Sequence, residues 1–182
     1  IFTTQPIHFV IMTEADLVES ITATVSVAHC AIVWLICFVP TQLKEYRKHK
    51  SNFVFEFHMV GFPESEVPWR KLFKNCASQR LFLPAMLPHV DALLYIDTDV
   101  LFLAPVEQLW SSTFGRMNST QLLGMSNEGE DAASNWYHRF AAHPYYGRYG
   151  LNSGVMFMNL TRMRRFGWNA RIEPAYRTHR DA

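Results

Sequence analysis

Two carboxylates stand two residues apart at the end of an apolar run, Leu93-Leu94-Tyr95-Ile96-Asp97-Thr98-Asp99. In an extended chain, residues i and i+2 project to the same side, so Asp97 and Asp99 can reach one cation. Hard oxygen donors suit Mg²⁺ or Mn²⁺, which leave coordination positions open for substrate phosphates. A cation held this way neutralises a bound diphosphate and stabilises the charge that builds on it as it leaves. The simpler reading of Asp-x-Asp is a turn cap. The apolar run in front, and Val100-Leu101-Phe102-Leu103 behind, favour the ligand role, because an unpaired carboxylate pair between apolar runs is costly.

A rival chemistry shares the pattern. An apolar strand followed by Asp-x-Asp-x-Thr/Val also opens the haloacid-dehalogenase-type phosphatases, and Ile96-Asp97-Thr98-Asp99-Val100 fits it literally. Those enzymes carry the motif on their first strand and use a later lysine and a later acidic pair. Here the motif comes mid-chain, no lysine follows Lys74, and the later adjacent acids are Glu130-Asp131 in a polar stretch. The phosphatase stays a minor alternative.

The elements that must position Asp97 and Asp99 are those of an α/β domain. Ile7–Met12 reads as a strand, and Thr13 can cap a helix after it. Neither GxGxxG nor GxxxxGK[ST] occurs, so phosphate must be held another way, and a metal is the obvious means. A helix over about Ala15–Ala28 and a strand across Ala31–Val39 follow. The stretch Ile21–Val39 contains no Asp, Glu, Lys or Arg and approaches the roughly 20 residues of a membrane span. Thr22, Thr24, Ser26 and His29 dilute it, however, and the buried helix-and-strand reading is preferred. Phe53–Val60 reads as a strand. Pro68 suits a helix start, with Trp69 to Leu81 at helical spacing and Pro84 ending or kinking it. Leu93–Ile96 is of the type buried on both faces of a parallel sheet. Pro105 opens a short helix towards Trp110, Leu122–Met125 is a candidate strand, Asn152-Ser153-Gly154 is a turn signal, and Val155–Asn159 is strand-like.

The bulk numbers agree with one globular domain. The chain has 182 residues, 49% hydrophobic and 18% charged, with net charge +1. That balance argues against nonspecific nucleic-acid binding, which needs a basic face. Cys30, Cys37 and Cys76 match no zinc or redox spacing. Two sequons, at Asn118 and Asn159, are glycan acceptors if the protein enters the secretory pathway. Asn118 lies in a polar stretch and is the expected acceptor. Asn159 ends an apolar one.

At this point a resemblance emerges. Cys76–Pro84, Leu94–Asp99, Asn118–Gln121, Trp136-Tyr137, Arg139–Ala141, His143–Gly147 and Asn152–Arg164 closely resemble the glucoside xylosyltransferases of glycosyltransferase family 8. The resemblance implies a GT-A (Rossmann-like) fold, UDP-xylose as donor, Mn²⁺ (or Mg²⁺), and retention of configuration. It implies xylose transfer to O-linked glucose on EGF repeats such as those of Notch. It also implies a type II membrane protein of the endoplasmic reticulum or Golgi lumen, anchored by an N-terminal segment absent from this chain. By resemblance, Met12, Thr13 and Glu14 lie near the nucleotide. Arg80 is aimed at the donor, and its alternative is a surface helix arginine. Asp97 and Asp99 hold the metal, Thr98 meets the ribose through its backbone, and Asn152 and Ser153 touch the donor sugar. Trp136, Tyr137, Tyr145 and Tyr146 form a sugar-stacking wall or belong to the core. His138 and His143 read as hydrogen-bonded structural residues. The resemblance also implies a Gly-Asp-Gln-Asp segment and a metal-binding histidine, neither of which is found here, and His179 lacks the family context. The expectation is therefore a GT-A domain incomplete at its C-terminus, with residues 1–165 the donor-binding part and 166–182 a divergent tail. An inactive donor-binding fragment is the alternative function, and no nucleophile is assignable.

Overall fold

The computed structural model describes residues 7–13, 31–35, 53–59, 78–97, 99–129, 131–141 and 144–180. The expected helix over Ala15–Ala28 and most of the helix after Pro68 lie outside these residues, as do Glu14, Thr98 and His143.

Three apolar, β-branched and aromatic runs form β1 (Ile7–Thr13), β2 (Ala31–Leu35) and β3 (Phe53–Met59), as their composition favours. With β4 (Leu93–Ile96), β5 (Leu123–Asn127) and β6 (Leu151–Met158) they make one six-stranded sheet in the order β3-β1-β2-β4-β6-β5. Strands β3, β1, β2 and β4 are mutually parallel. The intervals between them exceed the dozen residues a parallel crossover requires. β6 runs antiparallel to both β4 and β5. β2 falls within the uncharged run Ile21–Val39 and hydrogen-bonds between β1 and β4, which excludes one spanning helix across that run. Among the described residues no helix is long and apolar enough to cross a membrane.

β4 is buried at all four positions, as its all-apolar sequence requires, but its neighbours differ: β2 is parallel and β6 antiparallel. The sheet is mixed rather than purely parallel. Burying Leu93, Leu94 and Ile96 contributes about 1.5–3 kcal/mol each, which fixes the strand that leads into Asp97.

Two expectations need correction. Pro84 does not itself end the helix expected after Pro68, which gives way to a 3₁₀ turn at Arg80, four residues earlier. A 3₁₀ turn at Arg80–Phe82 leads directly into α1 (Leu83–Met86), whose first turn holds Pro84, where its missing N–H is no loss. Asn152-Ser153-Gly154 is not a turn but part of β6. The local signal is nevertheless real, because the Asn152 side chain accepts from the Gly154 N–H two residues on, the Asx pattern that promotes turns. The β5 register jumps here from Met125↔Met156 to Ser126↔Asn152. Ser153–Val155 thus bulge out of the β5 ladder while Val155 still faces Ile96 of β4.

Pro105 caps α2 (Val106–Phe114), which extends past Trp110. α3 (Trp136–Phe140) lies in the β5–β6 connection. In α4 (Leu160–Phe166), Asn159 is the N-cap and accepts from the Arg162 N–H, and Gly167 ends the helix in the left-handed conformation at φ 73°. Arg164 of α4 donates to the carbonyls of Pro84 in α1, of its C-cap Leu87 and of Val90 in the loop beyond, which ties the end of α1 to α4. α5 (Trp168–Arg180) follows, with the Trp168 indole N–H donating to the Leu81 carbonyl at 2.8 Å.

Candidate functional site

The carboxyl ends of β1, β2 and β4 share one sheet edge with the start of the reversed β6. Met12 faces Leu35, one position beyond the Trp34↔Ile96 pair, so the main chain at Met12 and Thr13 is level with Asp97. Two strand spacings separate them, roughly 10 Å. Ligands of open α/β sheets bind at this edge.

Asp97 is held from three sides. Its N–H donates to the Gly154 carbonyl at 2.8 Å. The Tyr95 hydroxyl donates to its Oδ1 at 2.6 Å, and an Arg80 guanidinium nitrogen stands 3.5 Å from the same oxygen. Arg80 lies over the Tyr95 ring, 4.6 Å from its centroid, and donates to both the carbonyl and the Oγ of Ser153. It is therefore no surface arginine but a bridge between the Asp-x-Asp segment and β6. Asn152 donates from Nδ2 to Glu128 at 2.9 Å. Asp99 is exposed in the turn after Asp97.

Tyr95 is fully buried. Burial pushes its hydroxyl above the usual tyrosine range, opposed by Arg80 and assisted by the hydrogen bond and charge of Asp97. It is a neutral, permanent donor to the carboxylate. Sequence reasoning gave Tyr95 no role, although it lies two residues before Asp97 and so on the same face. Glu128 and Gly154 were also missed. Gly154 is visible only in three dimensions, where a Cβ would stand 3.3 Å from Asp97 Oδ2 and 3.0 Å from Asn152 Oδ1.

The structure thus brings Arg80, Asp97, Asn152 and Ser153 together, with Asp99 beside them in sequence. As donors to a cation, Asp97 and Asp99 are hard, anionic oxygens suited to Mn²⁺ or Mg²⁺. Oδ2 of Asp97 faces a position kept free of side chain at Gly154. Among the described residues no three His, Cys, Asp or Glu side chains converge, so remaining positions would fall to ligand oxygens, water or residues outside that set.

The aromatic segment divides. Tyr137 is half-buried, its hydroxyl donating to the Leu151 carbonyl, and burial raises its pKa, with Glu128 adding to the effect. Trp136, Phe140, Tyr145 and Tyr146 are exposed. His138 pairs with the Arg148 carbonyl at 2.7 Å, in keeping with a structural role.

The family model for glycosyl transferase family 8 matches residues 35–181. The chain belongs to that family. Its match runs from β2 through α5 and so includes the Asp-x-Asp segment, and the phosphatase reading falls with it. Glucoside xylosyltransferase 1 of Rattus norvegicus is 45% identical over 176 residues, 89% of this chain and 40% of that protein. The Homo sapiens protein of the same name is 55% identical over 116 residues, 63% of this chain and 26% of that protein. The chain therefore spans two fifths or less of the length of these relatives. Mouse xyloside xylosyltransferase 1 in its apo form superposes with a TM-score of 0.50 at 16% identity, covering 87% of this chain and 69% of that one. The galactosyltransferase LgtC in complex with donor and acceptor sugar analogs gives 0.52 at 18%, covering 96% and 65%. At such identities the likeness concerns the fold, and this family 8 chain has a GT-A fold.

Proposed function

We propose that the protein to which this chain belongs transfers xylose from UDP-xylose to O-linked glucose on EGF-repeat proteins of the Notch type, with retention and with Mn²⁺ (or Mg²⁺) held by Asp97 and Asp99. One observation carries the reading: a chain 45% identical to a glucoside xylosyltransferase sets its two-carboxylate motif at the ligand edge of the sheet, beside Arg80 and Ser153. The divalent cation, when bound, neutralises the diphosphate and the charge it gains on leaving. Met12, Thr13 and Glu14 border the nucleotide, Thr98 meets the ribose through its main chain, and Asn152 and Ser153 hold the donor sugar. Arg80, a fixed cation within reach of the same edge, adds electrostatic stabilisation where charge develops. A secretory-pathway location, in the endoplasmic reticulum or Golgi lumen, fits the exposed sequon at Asn118.

A second reading, donor binding without turnover, is favoured by the metal set, which has two protein carboxylates among the described residues. Both readings are tested by incubating the chain with Mn²⁺, UDP-xylose and an O-glucosylated EGF repeat and weighing the repeat by mass spectrometry. A pentose increment supports transfer. UDP binding that needs Mn²⁺ without an increment favours the second reading. UDP affinity equal in Mn²⁺ and in EDTA would sink the metal role in either.

A further inference from the structure

Among the described residues, Tyr95 is the buried hydroxyl that touches the Asp-x-Asp segment, and its residue type and spacing alone assign it no task. It is the last but one residue of β4 and is sealed from solvent. Strand alternation puts its side chain on the face that Asp97 shares. Its hydroxyl donates to Oδ1 of Asp97, and the Arg80 guanidinium, which rests on the Tyr95 ring, stands by that same Oδ1. Among the described residues, both side-chain donors that reach the carboxylate end on one oxygen. The other oxygen, Oδ2, lies over Gly154, where no Cβ intrudes.

We propose that Tyr95 is a positioning residue for the cation: its hydroxyl locks the Asp97 carboxylate so that Oδ1 is spent on the protein and Oδ2 is presented to the metal. The inference rests on the metal role of Asp97 in the reading above. A carboxylate on a freely rotating Cβ presents either oxygen and loses rotamer freedom when a cation fixes it. Here that freedom is already lost in the folded chain. The ring and the hydroxyl have separate duties. The ring packs in β4 and supports Arg80, and of Tyr95 only the hydroxyl reaches Asp97, sharing Oδ1 with Arg80. Tyr95→Phe therefore separates packing from orientation.

Outer groups that orient metal ligands are worth about 10–100-fold in metal affinity. The test measures Mn²⁺ binding to the chain by the loss of the free-ion paramagnetic resonance signal, for the wild type and for Tyr95→Phe. UDP affinity in EDTA and the melting temperature are measured alongside. The expected result is Mn²⁺ binding weakened about 10–100-fold, with metal-free UDP affinity and melting temperature retained. Restoring the native residue at position 95 restores binding. Equal Mn²⁺ affinity in the two proteins overturns the proposal. A parallel fall of Mn²⁺ and metal-free UDP binding overturns it too, because Tyr95 then only packs the site. A wild-type chain that binds no Mn²⁺, with or without UDP, refutes the metal reading itself, and that outcome is visible before any variant is made.

Discussion

Gly154→Ala separates the chemistry of the site from the stability of the fold. The new methyl would stand 3.0 Å from Asn152 Oδ1 and 3.3 Å from Asp97 Oδ2, both tighter than ordinary carbon–oxygen contacts. Neither neighbour yields freely. Asp97 is tied to Tyr95, and Asn152 to Glu128 and to the Gly154 N–H. If the Asn152–Gly154 hydrogen bond gives way, the loss is about 0.5–1.5 kcal/mol. Gly154 is not among the glycines with positive φ, so alanine also gains about 0.4–1 kcal/mol by restricting the unfolded chain. The two nearly cancel, and the melting temperature should move by no more than about 4 °C. Cation approach to Oδ2, in contrast, meets a methyl group. Mn²⁺-dependent UDP affinity should fall at least about tenfold, or about 1.4 kcal/mol, while affinity in EDTA stays unchanged. Calorimetric titration with UDP in Mn²⁺ and in EDTA, with a melting curve, supplies the numbers. Undiminished affinity in Mn²⁺ would refute the claim that Oδ2 above Gly154 is the ligand-facing oxygen.

Three further outcomes are expected. Gly150, buried with φ 70°, would carry a Cβ 2.2 Å from the Tyr137 ring; Gly150→Ala should cost about 2–5 kcal/mol in backbone strain and overpacking, a fall of roughly 5–20 °C by scanning calorimetry, and a fall under 2 °C would contradict the packing of α3 on β6. Made in a secretory host, the chain should carry a glycan on Asn118, which is exposed, and none on Asn159, whose side chain caps α4; peptide mapping after enzymatic deglycosylation decides, and occupancy of Asn159 alone would count against the assignment. Tyr95 and Tyr137 have hydroxyl pKa values raised above 10.0 by burial, so the folded chain keeps protons that the unfolded chain releases; stability is whole below about pH 10 and falls as pH rises beyond it, and Tyr95→Phe should flatten that fall in melting curves between pH 9 and 11.

The parts of the fold that were legible in the sequence are those set by local composition. Leu93–Ile96 is apolar but for the Tyr95 hydroxyl and became the fully buried β4, and Pro105 marked the start of α2. The Asp-x-Asp spacing was plain in the sequence, but β4 ends at Ile96 and Asp99 stands in the turn beyond it, so strand alternation does not set both side chains. What escaped was set by partners distant in sequence. Asn152-Ser153-Gly154 carries a true turn signal, yet pairing of Val155 with Ile96 keeps it in the sheet, and the β5 register absorbs the difference. Arg80 left two readings open until β6 brought Ser153 beside it, 73 residues away. Glu128 reaches Asn152 across 24 residues and leaves no trace in spacing. Pro84 does mark a helix boundary, but the 3₁₀ turn before it puts it at the start of α1.

The placement of β4 also bears on how the chain is made. Its two neighbours, β2 and β6, pair with it through Trp34↔Ile96 and Ile96↔Val155, each about sixty residues away along the chain. Neither ladder can zip from a local hairpin, so closing the centre of the sheet bears the loop-closure entropy of long segments on both sides. During synthesis at 5–20 residues per second, the strand that carries Tyr95 and Asp97 waits roughly 3–12 s for its second partner. Through that interval its all-apolar edge is open to other chains, and the Tyr95–Asp97 pair has neither Ser153 nor Gly154 to seat it. Of the two ladders of β4, the one to β6 is the later that synthesis can close, so Leu93–Ile96 is the part of the sheet whose pairing is completed late.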